Sequence, residues 1–229
     1  MSTVRNNIKN AITLVAESAK RSGRLPQDIT LMAVSKRIAP SLVMQAVDSC
    51  VTCFGENRVQ EAIEKIPLLP SHLDWHFIGA LQKNKIRKIL PLVSSLHGID
   101  SLGTAAAVDR IASELGFHPR VYLQVNVANE QSKQGFSPAE LERDIASVLE
   151  LPRLQVLGLM TIPPFSPDPE KTRPHFELLR ILRDRVEQHH GVKLPGLSMG
   201  MSNDFPIAIE EGSTIVRLGT TIFGPRNPA

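Results

Sequence analysis

Short apolar runs alternate along this chain with stretches in which apolar positions recur every third or fourth residue. Runs near 29–36, 51–55, 74–79, 93–98, 120–127, 154–161, 195–199 and 214–218 read as strands. Helical periodicity falls between them, near 40–49, 57–67, 82–90, 101–116, 138–150, 170–190 and 204–211. A leading helix places Val4, Ile8, Ala11, Ile12 and Val15 on one face, and Gly23 and Pro26 end it. Strands this apolar are buried on both faces, as in a parallel sheet. Regular alternation with helices implies right-handed crossovers. Eight such units in 229 residues fit a single (β/α)8 TIM barrel with an extra N-terminal helix, an α/β fold spanning residues 1–229 as one domain. A doubly wound open sheet has the same strand pattern, because strand count does not reveal closure. Two helix starts are marked. Asn57 is expected to cap the helix carrying Val59, Ile63 and Ile66, with Gln60 three residues on, and Asp204 to cap the segment of Ile207 and Ile209, which Gly212 ends.

Composition narrows the classes. Hydrophobic content of 42% and charged content of 21% are those of a globular protein, and the net charge of +3 is too small to demand a nucleic-acid partner. The densest basic run, Lys83 to Lys88, lacks interleaved aromatics and reads as a solvated helix face. Two cysteines, Cys50 and Cys53, straddle a helix end and a strand start. Buried packing is the better reading for both, since a redox pair sits at a helix N-terminus and no second half of a zinc site is visible. No run of about 18 apolar residues exists, so no membrane span is expected. Free thiols and the lack of a signal peptide point to the cytoplasm.

Candidate chemistry sits where strands end. Lys36 closes the first apolar run, beside walls that disfavour an ammonium, which is the setting of a lysine that condenses with a carbonyl. After the seventh strand comes Ser198-Met-Gly-Met-Ser202-Asn203-Asp204, and after the eighth Gly219-Thr220-Thr221. Glycine lets backbone N–H groups approach an anion, hydroxyls add donors, and barrels bind phosphate between these two loops. Arg217 shares the face of Gly219 by alternation; it points either toward a ligand there or outward to a helix carboxylate. Glu56 is expected to pair with a lysine or arginine, and His76 to be a satisfied core histidine. Asn126, Asn129 and Lys133 follow the fifth strand. No cluster has metal-ligand spacing, and no Walker loop, nucleophile elbow or dinucleotide fingerprint is present.

Taken in order, these words resemble one family, the pyridoxal phosphate homeostasis proteins. They are Ala33-Val-Ser-Lys36, Phe54-Gly-Glu-Asn57, Val59-Gln-Glu61, Trp75-His-Phe-Ile-Gly79, Leu81-Gln82, Asn84-Lys85 and Ser132-Lys133, then Gly158-Leu-Met-Thr-Ile162, Ser198-Met-Gly-Met-Ser202, Gly212-Ser-Thr214, Val216-Arg217 and Phe223-Gly224. The resemblance implies a barrel similar to the N-terminal domain of alanine racemase, a fold-type III arrangement, with pyridoxal 5′-phosphate on Lys36 as an internal aldimine. By position it implies that Ser198, Gly200, Ser202, Gly219 and Thr220 hold the phosphate, that Arg217 faces the pyridine nitrogen and that Asn57 lies near the ring. Arg58 stands where the family commonly has tyrosine, and Thr221 where alanine is common.

The resemblance implies a carrier that stores, buffers or delivers the cofactor, with no catalytic residues, no metal and PLP-dependent apoenzymes as further partners. An electron-sink enzyme wants a protonated ring nitrogen, which an arginine opposes. A racemase also needs a second base, and the single tyrosine, Tyr122, falls early in the fifth strand. The rival readings are a small racemase-like enzyme of the same fold and a cofactor-free aldolase whose lysine attacks a phosphorylated sugar.

Overall fold

The computed structural model describes residues 3–130 and 133–225. Ser132 of the Ser132–Lys133 word lies outside them. A leading helix α1 (Thr3–Arg21) precedes β1 (Thr30–Val34), α2 (Pro40–Val47), β2 (Cys53–Glu56), α3 (Val59–Lys65), β3 (Asp74–Phe77), α4 (Ile86–Ile89) and β4 (Ser95–Ile99). Then come α5 (Leu102–Leu115), β5 (Arg120–Gln124), α6 (Pro138–Leu149), β6 (Gln155–Met160), α7 (Arg173–His190), β7 (Gly196–Met201), α8 (Phe205–Glu210), β8 (Ile215–Leu218) and α9 (Thr220–Phe223). The strands pair in sequence order as a closed parallel barrel. Its seam is the β1–β8 ladder, which sets Met32 opposite Arg217 and Ala33 opposite Leu218. Closure removes both sheet edges and excludes the open-sheet alternative.

Alternation divides each strand between two environments. Outward residues such as Phe54, Trp75, Val216 and, across the barrel, Phe77, Leu123 and Leu159 pack under the helices. Inward residues Met32, Cys53, Tyr122, Met160 and Ile215 fill the lumen. Gly196 leaves room for Tyr122: a Cβ there would lie 2.4 Å from the ring. Helix α1 packs on α2, α8 and α9, and Asn7 Nδ2 donates to Ile222 O at 2.9 Å. Its buried stripe is Val4, Ile8, Ala11, Val15, Ser18 and Ala19, each large apolar member worth about 1.5–3 kcal/mol. Ile12, expected on that stripe, is 52% exposed, because the i, i+3, i+4 pattern continues through Ala11 instead.

Several expectations shift. The region 82–90 is one turn of α-helix flanked by 3-10 turns, since Pro91 ends it early. Cys53 is buried, but Cys50 is exposed and occupies the left-handed turn after α2, where packing is not its role. The N-cap of α3 is Arg58 and no side chain caps it; Gln60 bonds Glu64 at 2.5 Å instead. Asp204 does stand at the α8 N-cap, yet its Oδ1 accepts from Met201 N at 2.7 Å rather than from the helix.

Candidate functional site

The C-terminal ends of β1, β2, β3, β6, β7 and β8 surround a cavity of about 300 Å³. Lys36, Asn57, Ser202, Arg217, Gly219 and Thr220 line it together, with Val34, Ile78 and Ile162 as apolar walls and the 80%-exposed Phe165 at the lip. A second cavity, containing Gln124, Asn126 and Lys133, shares Asn57, Ile78 and Ile162 with it. Such a size and mixture suit a small-molecule site, at the face where barrels place their chemistry.

Lys36 lies two residues beyond the end of β1 and keeps the inward phase of Met32 and Val34. It is half-buried in the loop, two residues past the strand that it was expected to close. The residues on either side of it are fixed from behind. Ser35 Oγ donates to Glu56 Oε1 at 2.7 Å, and Lys65 Nζ donates to that same Oε1 and to Ser35 O, each at 2.7 Å. Arg37 takes a left-handed φ of 60°, a strained conformation for a non-glycine, and its N–H donates to Glu61 Oε1 at 2.6 Å. Lys65 also reaches Glu61, at 2.5 Å. Glu56 thus pairs with a lysine as expected. Burial pushes its carboxyl upward, and the Lys65 hydrogen bond and charge oppose that. Sequence reasoning missed Lys65 because nothing in a helical lysine marks it as buried.

On the neighbouring strand β8, Arg217 is 3% exposed and points into the lumen, which decides between its two readings. Nη1 donates to Ser198 O (2.6 Å) and Ser198 Oγ (2.8 Å), and Nη2 donates to Thr161 O (2.8 Å). Three of the five guanidinium N–H groups are so engaged among the described residues, and two remain for the cavity. Burial lowers its pKa to about 10, opposed by the charge of Asp204, so it stays cationic at neutral pH. Ser202 Oγ accepts from Gly219 N (3.3 Å) and Thr221 N (3.2 Å), which fills its lone pairs and leaves its O–H to donate.

Two expected residues lie behind the wall. Strand β7 runs to Met201 through a register shift, so Ser198 and Gly200 are strand residues and do not line the cavity. Ser198 is fully buried beneath Arg217. Gly200 has φ +91°, and a Cβ there would come 2.6 Å from Ala208 Cβ, so it lets α8 pack close. Asn57 Oδ1 is buried without a hydrogen-bond partner and belongs to a residue on the cavity wall. An orphaned acceptor there marks a place where a donor group of a ligand would be welcome. Arg58 stands beside Lys36, Arg37 and Asn57 at the mouth.

Residues 9–227 match the family described as alanine racemase, N-terminal domain. A pyridoxal phosphate homeostasis protein of Aquifex aeolicus is 40% identical over 220 residues, covering 96% of each chain. That of Escherichia coli K12 is also 40% identical, over 99% of this chain and 98% of its own. This chain belongs to the pyridoxal phosphate homeostasis protein family. Within that family the likeness extends to structure: PipY of Synechococcus elongatus, solved with pyridoxal phosphate bound, superposes with a TM-score of 0.81 at 38% identity, over 92% of this chain and all of that one. An alanine racemase of Clostridium difficile shares the barrel alone, with a TM-score of 0.73 at 18% identity over 95% of this chain and 57% of the enzyme.

Proposed function

We propose that this chain binds pyridoxal 5′-phosphate on Lys36 and serves in intracellular homeostasis of the cofactor, residues 1–229 acting as one binding unit. The observation that carries the reading is the placement of Lys36 and Arg217, from the paired strands β1 and β8, on one cavity that the Ser202 and Gly219–Thr220 loops also line. The donor set fits. The Lys36 amine can condense with an aldehyde, releasing water. Ser202 O–H and the Thr220 hydroxyl suit a phosphate, and Gly219, without a side chain, leaves room for it. Asn57 would lie near the ring, and Arg217 would face the ring nitrogen. Ser198 and Gly200 act from behind, the first on Arg217 and the second on the bend of β7. When bound, the cofactor supplies an aldehyde and an electron-withdrawing ring.

A cationic donor at the ring nitrogen keeps that nitrogen unprotonated and weakens the ring as an electron sink. The described lining residues include no carboxylate, histidine, cysteine or tyrosine that could serve as a second base. Tyr122 is inside the barrel, stacked on His97 at 4.2 Å, and burial raises its pKa to about 12. Both features support a carrier over a racemase, with PLP-dependent apoenzymes as the proteins it serves in the cytoplasm.

The test is to purify the protein, record its visible absorbance, reduce with borohydride and map the labelled peptide. A yellow protein labelled at Lys36 is the expected result; label on Lys85 or Lys133 defeats the assignment. Chirality assays with L-alanine should show no significant turnover, and rates near the enzyme median of about 10 s⁻¹ would refute the carrier reading.

A further inference from the structure

Beneath Arg217 a line of polar side chains runs through the barrel toward its floor. Ser198 Oγ meets His97 Nδ1 at 2.8 Å, His97 Nε2 meets His76 Nδ1 at 2.9 Å, and His76 Nε2 meets Asp74 Oδ2 at 3.0 Å. Ser198 and His97 are fully buried and His76 nearly so, while Asp74, at the start of β3, is half exposed on the floor. The two ends have fixed roles. Guanidinium only donates and an ionised carboxylate only accepts. Asp74 is held as a carboxylate by its bonds to His76 and Ser94, with Arg120 beside it at 3.3 Å; its pKa falls to about 2.

Those ends dictate every proton between them. Arg217 donates to Ser198 Oγ, so the Ser198 hydroxyl is left to donate to His97 Nδ1. His97 then carries its proton on Nε2 and donates to His76 Nδ1, and His76 carries its own on Nε2 and donates to Asp74. The reverse order would make both His97 and Arg217 donate to Ser198, and among the described residues no acceptor is left for the Ser198 proton. Burial above all, with the nearby cations Arg217 and Arg120, holds His97 well below its ordinary pKa, in keeping with a neutral ring.

We propose that Asp74, His76, His97 and Ser198 form one unidirectional donor chain that positions Arg217, fixing both histidines as Nε2–H tautomers and holding the guanidinium toward the cavity. The direction of the chain stands on the geometry alone; its effect on a ring nitrogen rests on the cofactor reading above. These four are positioning residues, since none of them lines the cavity. Cys53 lies within 4.8 Å of Asp74 and His76, a grouping that linear spacing did not reveal. Arg120 already shares that carboxylate, and burial pushes the Cys53 thiol up, so the floor ends a hydrogen-bond chain instead of holding a cation.

The experiment has two arms. Long-range nitrogen–proton NMR on the cofactor-free protein reads both tautomers directly. The expected pattern is two neutral rings protonated at Nε2; an Nδ1–H signal from His97, a doubly protonated His76 at neutral pH, or loss of the His76 Nε2–H signal on adding one equivalent of zinc overturns the chain. The second arm adds pyridoxal phosphate to His97→Gln, which keeps one acceptor and one donor, and to His97→Leu, which keeps neither. In folded His97→Leu the absorbance of bound cofactor should shift and its affinity should fall by about tenfold, with His97→Gln restoring most of both. Folded His97→Leu with unaltered spectrum and affinity overturns the positioning role. Should the wild type bind no cofactor at Lys36, the cofactor reading fails while the NMR arm still decides the chain.

Discussion

The two cations of the cavity are held in contrasting ways. Arg217 is locked inside the barrel: its bonds go to Ser198 and Thr161, and behind Ser198 stand two histidines and a carboxylate. Lys36 is half-buried on a loop, and the brace formed by Glu56, Lys65 and Glu61 grips its neighbours Ser35 and Arg37. These bonds fix the backbone on either side of the lysine. Holding the guanidinium itself leaves Arg217 nowhere to go. For the cofactor role proposed above, the first arrangement suits a reacting amine and the second a group that sets ring charge.

Exchanging each cation breaks the comparison most sharply. Lys36→Ala should abolish borohydride-fixed label entirely, and cost the cofactor-free protein less unfolding free energy than Arg217→Met does. Arg217→Met should keep the label on Lys36 but cost about 3 kcal/mol, because the buried Ser198 and Thr161 oxygens lose their donor. Urea titration of the two variants checks both, and equal stability losses would erase the distinction.

The brace comes next. Lys65→Met leaves Glu56 buried beside Ser35 without its cation, and should destabilise the chain by about 3–5 kcal/mol. Loosening of the Lys36 loop should also slow reaction with added cofactor, read by stopped-flow absorbance. A variant as stable as wild type would show that the brace is not what holds the loop.

The smallest effect tests the barrel floor. The folded pKa of Asp74, about 2, lies below its ordinary 3.8, so its contribution is fully present above pH 3.8 and is lost as pH falls toward 2. Asp74→Asn should flatten that part of the stability–pH curve, by at most about 1 kcal/mol because the side chain is 42% exposed. An acid limb identical to that of the wild type would remove Asp74 from the chain's anchor.

Much of the fold was legible because its signals are local. Apolar runs separated by helical periodicity gave every strand of the barrel, and the short word around Lys36 with the loops at Ser202 and Gly219 gave both sides of the cavity. Boundaries were less legible. The apolar run to Met199 hid the continuation of β7 to Met201, so Gly200 looked like a loop residue when it is a strand residue.

What the sequence determined by itself was the order of elements, the lysine at the end of the first strand and the parity that places Arg217 and Gly219 on one face. Tertiary structure alone decided that the sheet closes, that this face looks inward, that Lys65 is buried under the Lys36 loop, and that His76 and His97 connect Arg217 to Asp74. The reason is separation along the chain. Parity is fixed by the two-residue repeat of a strand, but which parity meets the lumen depends on the β1–β8 ladder joining residues nearly the whole chain apart. The polar chain likewise joins His97 to Ser198 across 101 residues, a contact that exists only once the barrel has closed around it.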